Sequence, residues 1–205
     1  MLFRVFCVFL HYKINKTMMT YFRYAFVLMT FFALSACSDD NPGEINENTA
    51  TKIYNEIKGT YEGYVRVGND SHPVTIVVAN DEFTVKRLPL QPILKRIFTN
   101  ERQLDQALKS AGETTTLKAP VVNISVLANS SMLTMDPVDV VMSVNVDGER
   151  KQVSALIESI AQWNKSWGEL SIVMNVKELF YDGQKYNLTD NRIEYYIDNA
   201  KKIVE

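Results

Sequence analysis

The stretch VDVVMSVNVDGERKQVSALI, residues 138–157, decides how this chain is read. From Val138 to Val146 the residues Val138, Val140, Met142, Val144 and Val146 alternate with Asp139, Val141, Ser143, Asn145 and Asp147. Period two over nine residues is the mark of a half-buried antiparallel strand. Asp147-Gly148 follows, a dipeptide suited to a two-residue hairpin turn. Folding the chain back about it sets Met142 opposite Val153, Val140 opposite Ala155 and Val138 opposite Ile157, so apolar side chains meet across the ladder. Val153, Leu156, Ile157 and Ile160 also carry the spacing of a helix face. The hairpin accounts for the turn and the pairing together, so 150–162 is read as a strand.

The same pattern extends in both directions. Leu170, Ile172, Met174 and Val176 alternate with Ser171, Val173, Asn175 and Lys177, and Asp182-Gly183 turns this strand back into 184–188. There Phe180 falls opposite Lys185, a mismatch that suggests a bulge. Val122, Ile124, Val126 and Ala128 alternate similarly. Segments 60–67, 73–79 and 83–88 are shorter strand candidates, and 192–204 closes the chain. Two features are helical: a lead-in from Ala50 to Lys58 with Ile53 and Ile57 on one face, and an excursion near 90–111. In the excursion Pro92 holds a first-turn position. Asn100 then caps a second segment, with Gln103 at the capping-box position and Gly112 as the stop. The expected fold is mainly β, an antiparallel meander of eight or nine strands closing as a barrel or half-barrel.

The amino-terminal quarter belongs to another kind of reading. Tyr24 to Leu34 is an uncharged apolar run preceded by Arg23 and followed by the small residues Ser35 and Ala36. A cationic start, an apolar middle and a small-residue end make a secretory signal. At about a dozen residues the run falls short of the roughly 20 that span a bilayer. Leu34-Ser35-Ala36-Cys37 resembles the lipobox of bacterial lipoproteins, which implies cleavage after Ala36 and lipid attachment at Cys37. Residues 1–36 are thus expected to be a signal peptide; a start at Met18 or Met19 would give it ordinary length, with 1–17 upstream of the true start. Residues 37–49, polar and acidic with Pro42 and Gly43, are expected to be a flexible tether, and 50–205 a single β-rich domain. Cys37-Ser38-Asp39-Asp40, with Asn41 interrupting the acids, resembles the export signal of Bacteroidetes lipoproteins. That resemblance implies an outer-membrane, surface-exposed address.

Lys58-Gly59-Thr60-Tyr61-Glu62-Gly63 and Phe83 to Pro89 resemble segments of lipocalin-like (calycin-like) Bacteroidales lipoproteins of unknown function. The resemblance implies a lipocalin-like barrel and an anchor, and no activity.

Charge and composition narrow the chemistry. Residues 1–36 hold Arg4, Lys13, Lys16 and Arg23 and no acid, so 18 of the 22 basic residues remain against 24 acidic ones, a formal charge of −6. That argues against nucleic acid as a partner and leaves the acyl chains as the link to a membrane. Beyond Cys37 the chain has no cysteine, and His72 is its one histidine. No cofactor, thiol nucleophile or nitrogen–sulfur metal site is therefore expected. His72, before Pro73, reads as an exposed turn residue.

Other residues carry weaker signals. Trp163 and Trp167, with Asn164, Lys165 and Gly168, form an aromatic pair between two strands that could stack on a sugar or plug a barrel end. Tyr61, Tyr64, Tyr195 and Tyr196 read as ordinary strand tyrosines. Glu158, Glu169 and Glu178 are the acids available for a glycosidase pair, which needs two carboxylates about 5–10 Å apart; the solvated face of a strand is the plainer reading. Asp136, Asp139 and Asp147 lack calcium-loop spacing. Together these features point to a non-enzymatic module that binds an unidentified small molecule or protein. A glycan hydrolase using carboxylates and a structural accessory of an outer-membrane complex are the competing readings.

Overall fold

The computed structural model describes residues 47–188 and 192–203. Cys37 and the expected signal peptide, with most of the acidic stretch after it, lie outside the described residues. Within them run α1 (Glu47–Ile57), β1 (Gly59–Val67), β2 (Asp70–Ala79), β3 (Glu82–Pro89), α2 (Gln91–Ile97), α3 (Glu101–Ala111), β4 (Thr114–Val126), β5 (Ser130–Met135), β6 (Val138–Val146), β7 (Glu149–Asn164), β8 (Glu169–Tyr181), β9 (Gln184–Tyr186) and β10 (Glu194–Lys202). Eight strands form a closed antiparallel barrel in the order β1–β2–β3–β4–β5–β7–β8–β10, with β10 pairing back onto β1. The half-barrel alternative is thereby removed. β6 and β9 lie outside the ring, on the first half of β7 and the last part of β8.

The decisive hairpin has the expected register: Met142 faces Val153, Val140 faces Ala155 and Val138 faces Ile157. Asp147 and Gly148 have φ of 52° and 82°, the left-handed pair that a two-residue turn matched to strand twist requires. β7 is a strand throughout, so cross-strand pairing prevailed over the helical spacing. β6, laid along the first half of β7, packs against α3. Asp147 accepts hydrogen bonds from Arg102 Nη2 and Gln103 Nε2, both at 2.7 Å, and donates its N–H to Gln106 Oε1. Asn100 caps α3 by accepting from the Arg102 and Gln103 N–H groups. Gln103 therefore serves the β6–β7 turn and not the reciprocal half of a capping box.

Some expectations need correction. β4 begins at Thr114, well before Val122, and β5 was not foreseen. In β4 the inward residues are Leu117 and Ala119; a register shift between Val121 and Asn123 leaves Val122 and Val126 exposed. His72 lies inside β2, paired with Val65, not in a turn. Phe180 pairs with Lys185 without a bulge: the ammonium lies 5.9 Å from the ring centroid and forms an ion pair with Glu178. The predicted mismatch is thus a cation–π contact.

The barrel interior is filled. Tyr61, Tyr195, Phe83, Ile76, Leu88, Leu117, Leu133 and Ile157 are all buried to within 1% of full coverage. The two tyrosine hydroxyls are satisfied: Tyr61 donates to Ile57 O at 2.6 Å and Tyr195 to Pro89 O at 3.0 Å. Helix α1 lies at the end where β1 starts, with Ile57 fully buried and Tyr54 Oη accepting the Asp81 N–H. Helix α2, between β3 and α3, buries Ile93 and Leu94. Side chains thus occupy the space that an open lipocalin-like barrel would offer a ligand.

Candidate functional site

The residues singled out in the sequence do not come together. Trp163 points into the barrel and is 6% exposed, whereas Trp167, in the β7–β8 turn, is 73% exposed. The two rings face opposite environments and form no stacking platform. Tyr61 and Tyr195 are core residues, and burial pushes the Tyr61 phenol up to about 12 and raises that of Tyr195 as well. Glu158 is paired with Lys177 at 3.0 Å and Glu178 with Lys185. Glu169 and Glu178 stand nine residues apart on β8, about 30 Å at strand rise, so they cannot share a substrate bond. Asp147 is occupied by α3, while Asp136 and Asp139 are exposed. Among the described residues no group of three or more His, Cys, Asp or Glu could hold a metal ion. Ser159 Oγ and Trp163 Nε1 are buried without a hydrogen-bond partner among the described residues. They lie four residues apart on β7, about 13 Å, and do not make one site.

A concave region does lie on the outer wall, where β10, β1, β2 and β3 run side by side. It encloses about 720 Å³ and is lined in part by Tyr64, Arg66, Pro73, Arg87, Asn199 and Lys201. Two bulges build its walls. On β10 the register with β1 runs from Ile197 opposite Val65 to Lys201 opposite Glu62, one residue more on β10 than on β1. Asp198 and Asn199 are therefore both exposed between the inward Ile197 and Ala200. On β3 the register with β4 skips from Val85 opposite Leu117 to Leu88 opposite Thr115, so Lys86 and Arg87 are both turned outward. An extra residue in one strand re-aims side chains in this way.

The floor between the walls is thin. Gly63 approaches β10 so closely that a Cβ on it would sit 2.9 Å from Ala200 Cβ and 3.2 Å from Ala200 Cα. Pro73 pairs with Tyr64, beyond the end of the β2–β3 ladder at Thr75, where its missing N–H breaks no hydrogen bond on that side. The Gly63 of the Gly-x-Tyr-x-Gly opening is thus explained by strand proximity, and its Tyr61 by the bond to Ile57.

Charges in the groove are unevenly paired. Arg66 is joined to Asp198. Arg87 donates to Thr75 Oγ1 at 3.2 Å, and among the described residues neither Arg87 nor Lys201 has a carboxylate partner. Tyr64, 62% exposed, lies on the strand between them. None of these was flagged as a site in the sequence, although a signal existed. In Val85-Lys86-Arg87-Leu88 and Ile197-Asp198-Asn199-Ala200 two polar residues interrupt an alternating strand, which is how a bulge reads in sequence.

Fold and site together define a mainly β protein, a closed eight-stranded antiparallel barrel with a filled core and a charged groove outside it. The chain belongs to the family described as domain of unknown function DUF4840, whose model matches residues 56–181. The match runs from the last turn of α1 to the end of β8; β10, which closes the barrel, follows it. No curated protein and no solved structure matches the chain.

Proposed function

We propose that this protein is a lipid-anchored, non-enzymatic binding module of the outer-membrane surface, which recognises its ligand or partner with the outer wall of the barrel. The observation that carries the binding part is the filled interior. Large side chains with satisfied hydroxyls occupy the lumen, so recognition falls to the outer surface, where the groove over β10–β1–β2–β3 is concave and charged. The anchoring part is supported by Leu34-Ser35-Ala36-Cys37 and the Ser38-Asp39-Asp40 that follow. Glycan hydrolysis is the weaker reading, because Glu158 and Glu178 are engaged by lysines. A structural role in a membrane complex draws on one observation: Ile160 and Val173 pair across β7 and β8 and are 48% and 38% exposed on the outside.

The anchor is tested in the native host. Mass spectrometry of the membrane fraction is expected to find an acylated Cys37 at the amino terminus, and Cys37→Ala to release the protein from membranes. Protease added to intact cells is expected to degrade it. Unmodified soluble protein would refute the anchor, and full protection until lysis would refute surface display.

A further inference from the structure

We propose that the groove bounded by the β10 and β3 bulges binds a small, singly charged oxyanion, a carboxylate or sulfate carried on a ring that lies against Tyr64. This rests on the outer-wall reading above and adds the site and the ligand's chemistry.

The first support is the backbone at Arg87. Six non-glycine residues among those described have positive φ: Asn80, Asp81, Arg87, Asp147, Asp182 and Asn199. Five are Asn or Asp, whose short polar side chains tolerate the left-handed region. Arg87, at φ 64°, is the exception. A long side chain held there costs on the order of 1–3 kcal/mol, and such strain gathers at ligand clamps. Glycine would make the same detour without it. What arginine supplies is a planar fork of donors, aimed outward from the bulge and matched to a carboxylate or sulfate.

The second support is the charge balance. Arg66 and Asp198 neutralise one another across the β1–β10 ladder. Glu62 stands opposite Lys201 in register and lines the same groove. Three cations, Arg66, Arg87 and Lys201, against two acids leave a surplus of one, shared by Arg87 and Lys201, so the groove matches a monoanion and disfavours a polyanion. The third support is Tyr64, exposed on the floor strand beside Pro73. Its ring offers an apolar face next to the cation, which a bare inorganic ion would leave unused.

The test follows the backbone amides of Gly63, Tyr64, Arg87 and Asn199 by NMR during titration with glucuronate, benzoate, acetate and glucose. Glucuronate or benzoate is expected to shift these amides at millimolar concentration, with acetate weaker and glucose inert. Arg87→Gly is expected to weaken the bound anion roughly tenfold or more, the loss of a forked charge-assisted contact. It is also expected to unfold at no lower urea concentration, since glycine relieves the left-handed strain. Tyr64→Ala, at an exposed site, is expected to bring the ring-bearing anions down to the level of acetate. Silence from both ring-bearing anions, equal binding of glucose, or full affinity in Arg87→Gly would overturn the proposal. An inert groove on a protein still acylated at Cys37 would refute this inference alone; release from the membrane would strike the anchoring reading instead.

Discussion

Gly63→Ala sets two physical effects against each other, and their magnitudes predict the sign. Gly63 lies in β1 without the positive φ that demands glycine. By strand propensity, alanine should be harmless or stabilising by about 0.4–1 kcal/mol through the unfolded chain. The packing says otherwise. The new methyl carbon would sit 2.9 Å from Ala200 Cβ, 3.2 Å from Ala200 Cα and 3.4 Å from Ile197 Cγ2, where carbon atoms prefer about 3.5–4.0 Å. Ala200 and Ile197 are both fully buried, and the nearest atoms belong to or hang directly on backbone, so relief requires β1 and β10 to separate. Overpacking of this kind costs roughly 1–3 kcal/mol, and the middle of that range less the middle of the entropic offset leaves a net loss of about 1 kcal/mol. Urea unfolding followed by tryptophan fluorescence should show a lower midpoint with an unchanged slope. Adding Ala200→Gly removes the atom at 2.9 Å but leaves the one at 3.2 Å, so the double variant should recover part of the loss. A Gly63→Ala protein as stable as the parent would refute the close-approach account of this glycine.

Three further expectations follow from the core. Folding raises the Tyr61 phenol from its ordinary value near 10 to about 12, so its contribution to stability is complete below pH 10 and is lost as the pH climbs from 10 towards 12; Tyr61→Phe should flatten that alkaline limb in a series of urea midpoints. Iodide should quench Trp167 and spare Trp163, and Trp163→Ala should cost about 3–5 kcal/mol where Trp167→Ala changes stability by less than about 0.5 kcal/mol; equal quenching of both would contradict their placement. Tyr195→Phe leaves Pro89 O without its donor and should destabilise by about 1–2 kcal/mol, an effect absent if the hydroxyl bond is not formed.

The sites that resisted reading share one cause. Trp163 and Trp167 sit four residues apart in sequence, yet one closes the strand and the other lies in the turn after it, and opposite environments follow from that boundary. Val122 and Val126 alternate as a core face should, but the register shift after Val121 moves the strand's inward side elsewhere. His72 followed turn-like residues, while the turn itself closes earlier, with β2 starting at Asp70. Each error is a misplaced phase or boundary in an element whose type was read correctly or lay next to one that was.

Local patterning by itself determined the strands around Asp147-Gly148 and their register, the two helices of the excursion and the mainly β class. These depend on side-chain period and turn chemistry, which act between neighbours along the chain and across a single tight turn. Closure of the barrel, exclusion of β6 and β9 from it and filling of its interior were decided only by tertiary structure. They depend on pairings such as β1 with β10, between residues 130 or more positions apart. The groove belongs to the same category. Arg66, Arg87 and Lys201 are unremarkable surface cations in sequence, and two bulges on strands far apart in the chain bring them to one concave wall, because an extra residue in a ladder turns its neighbours outward.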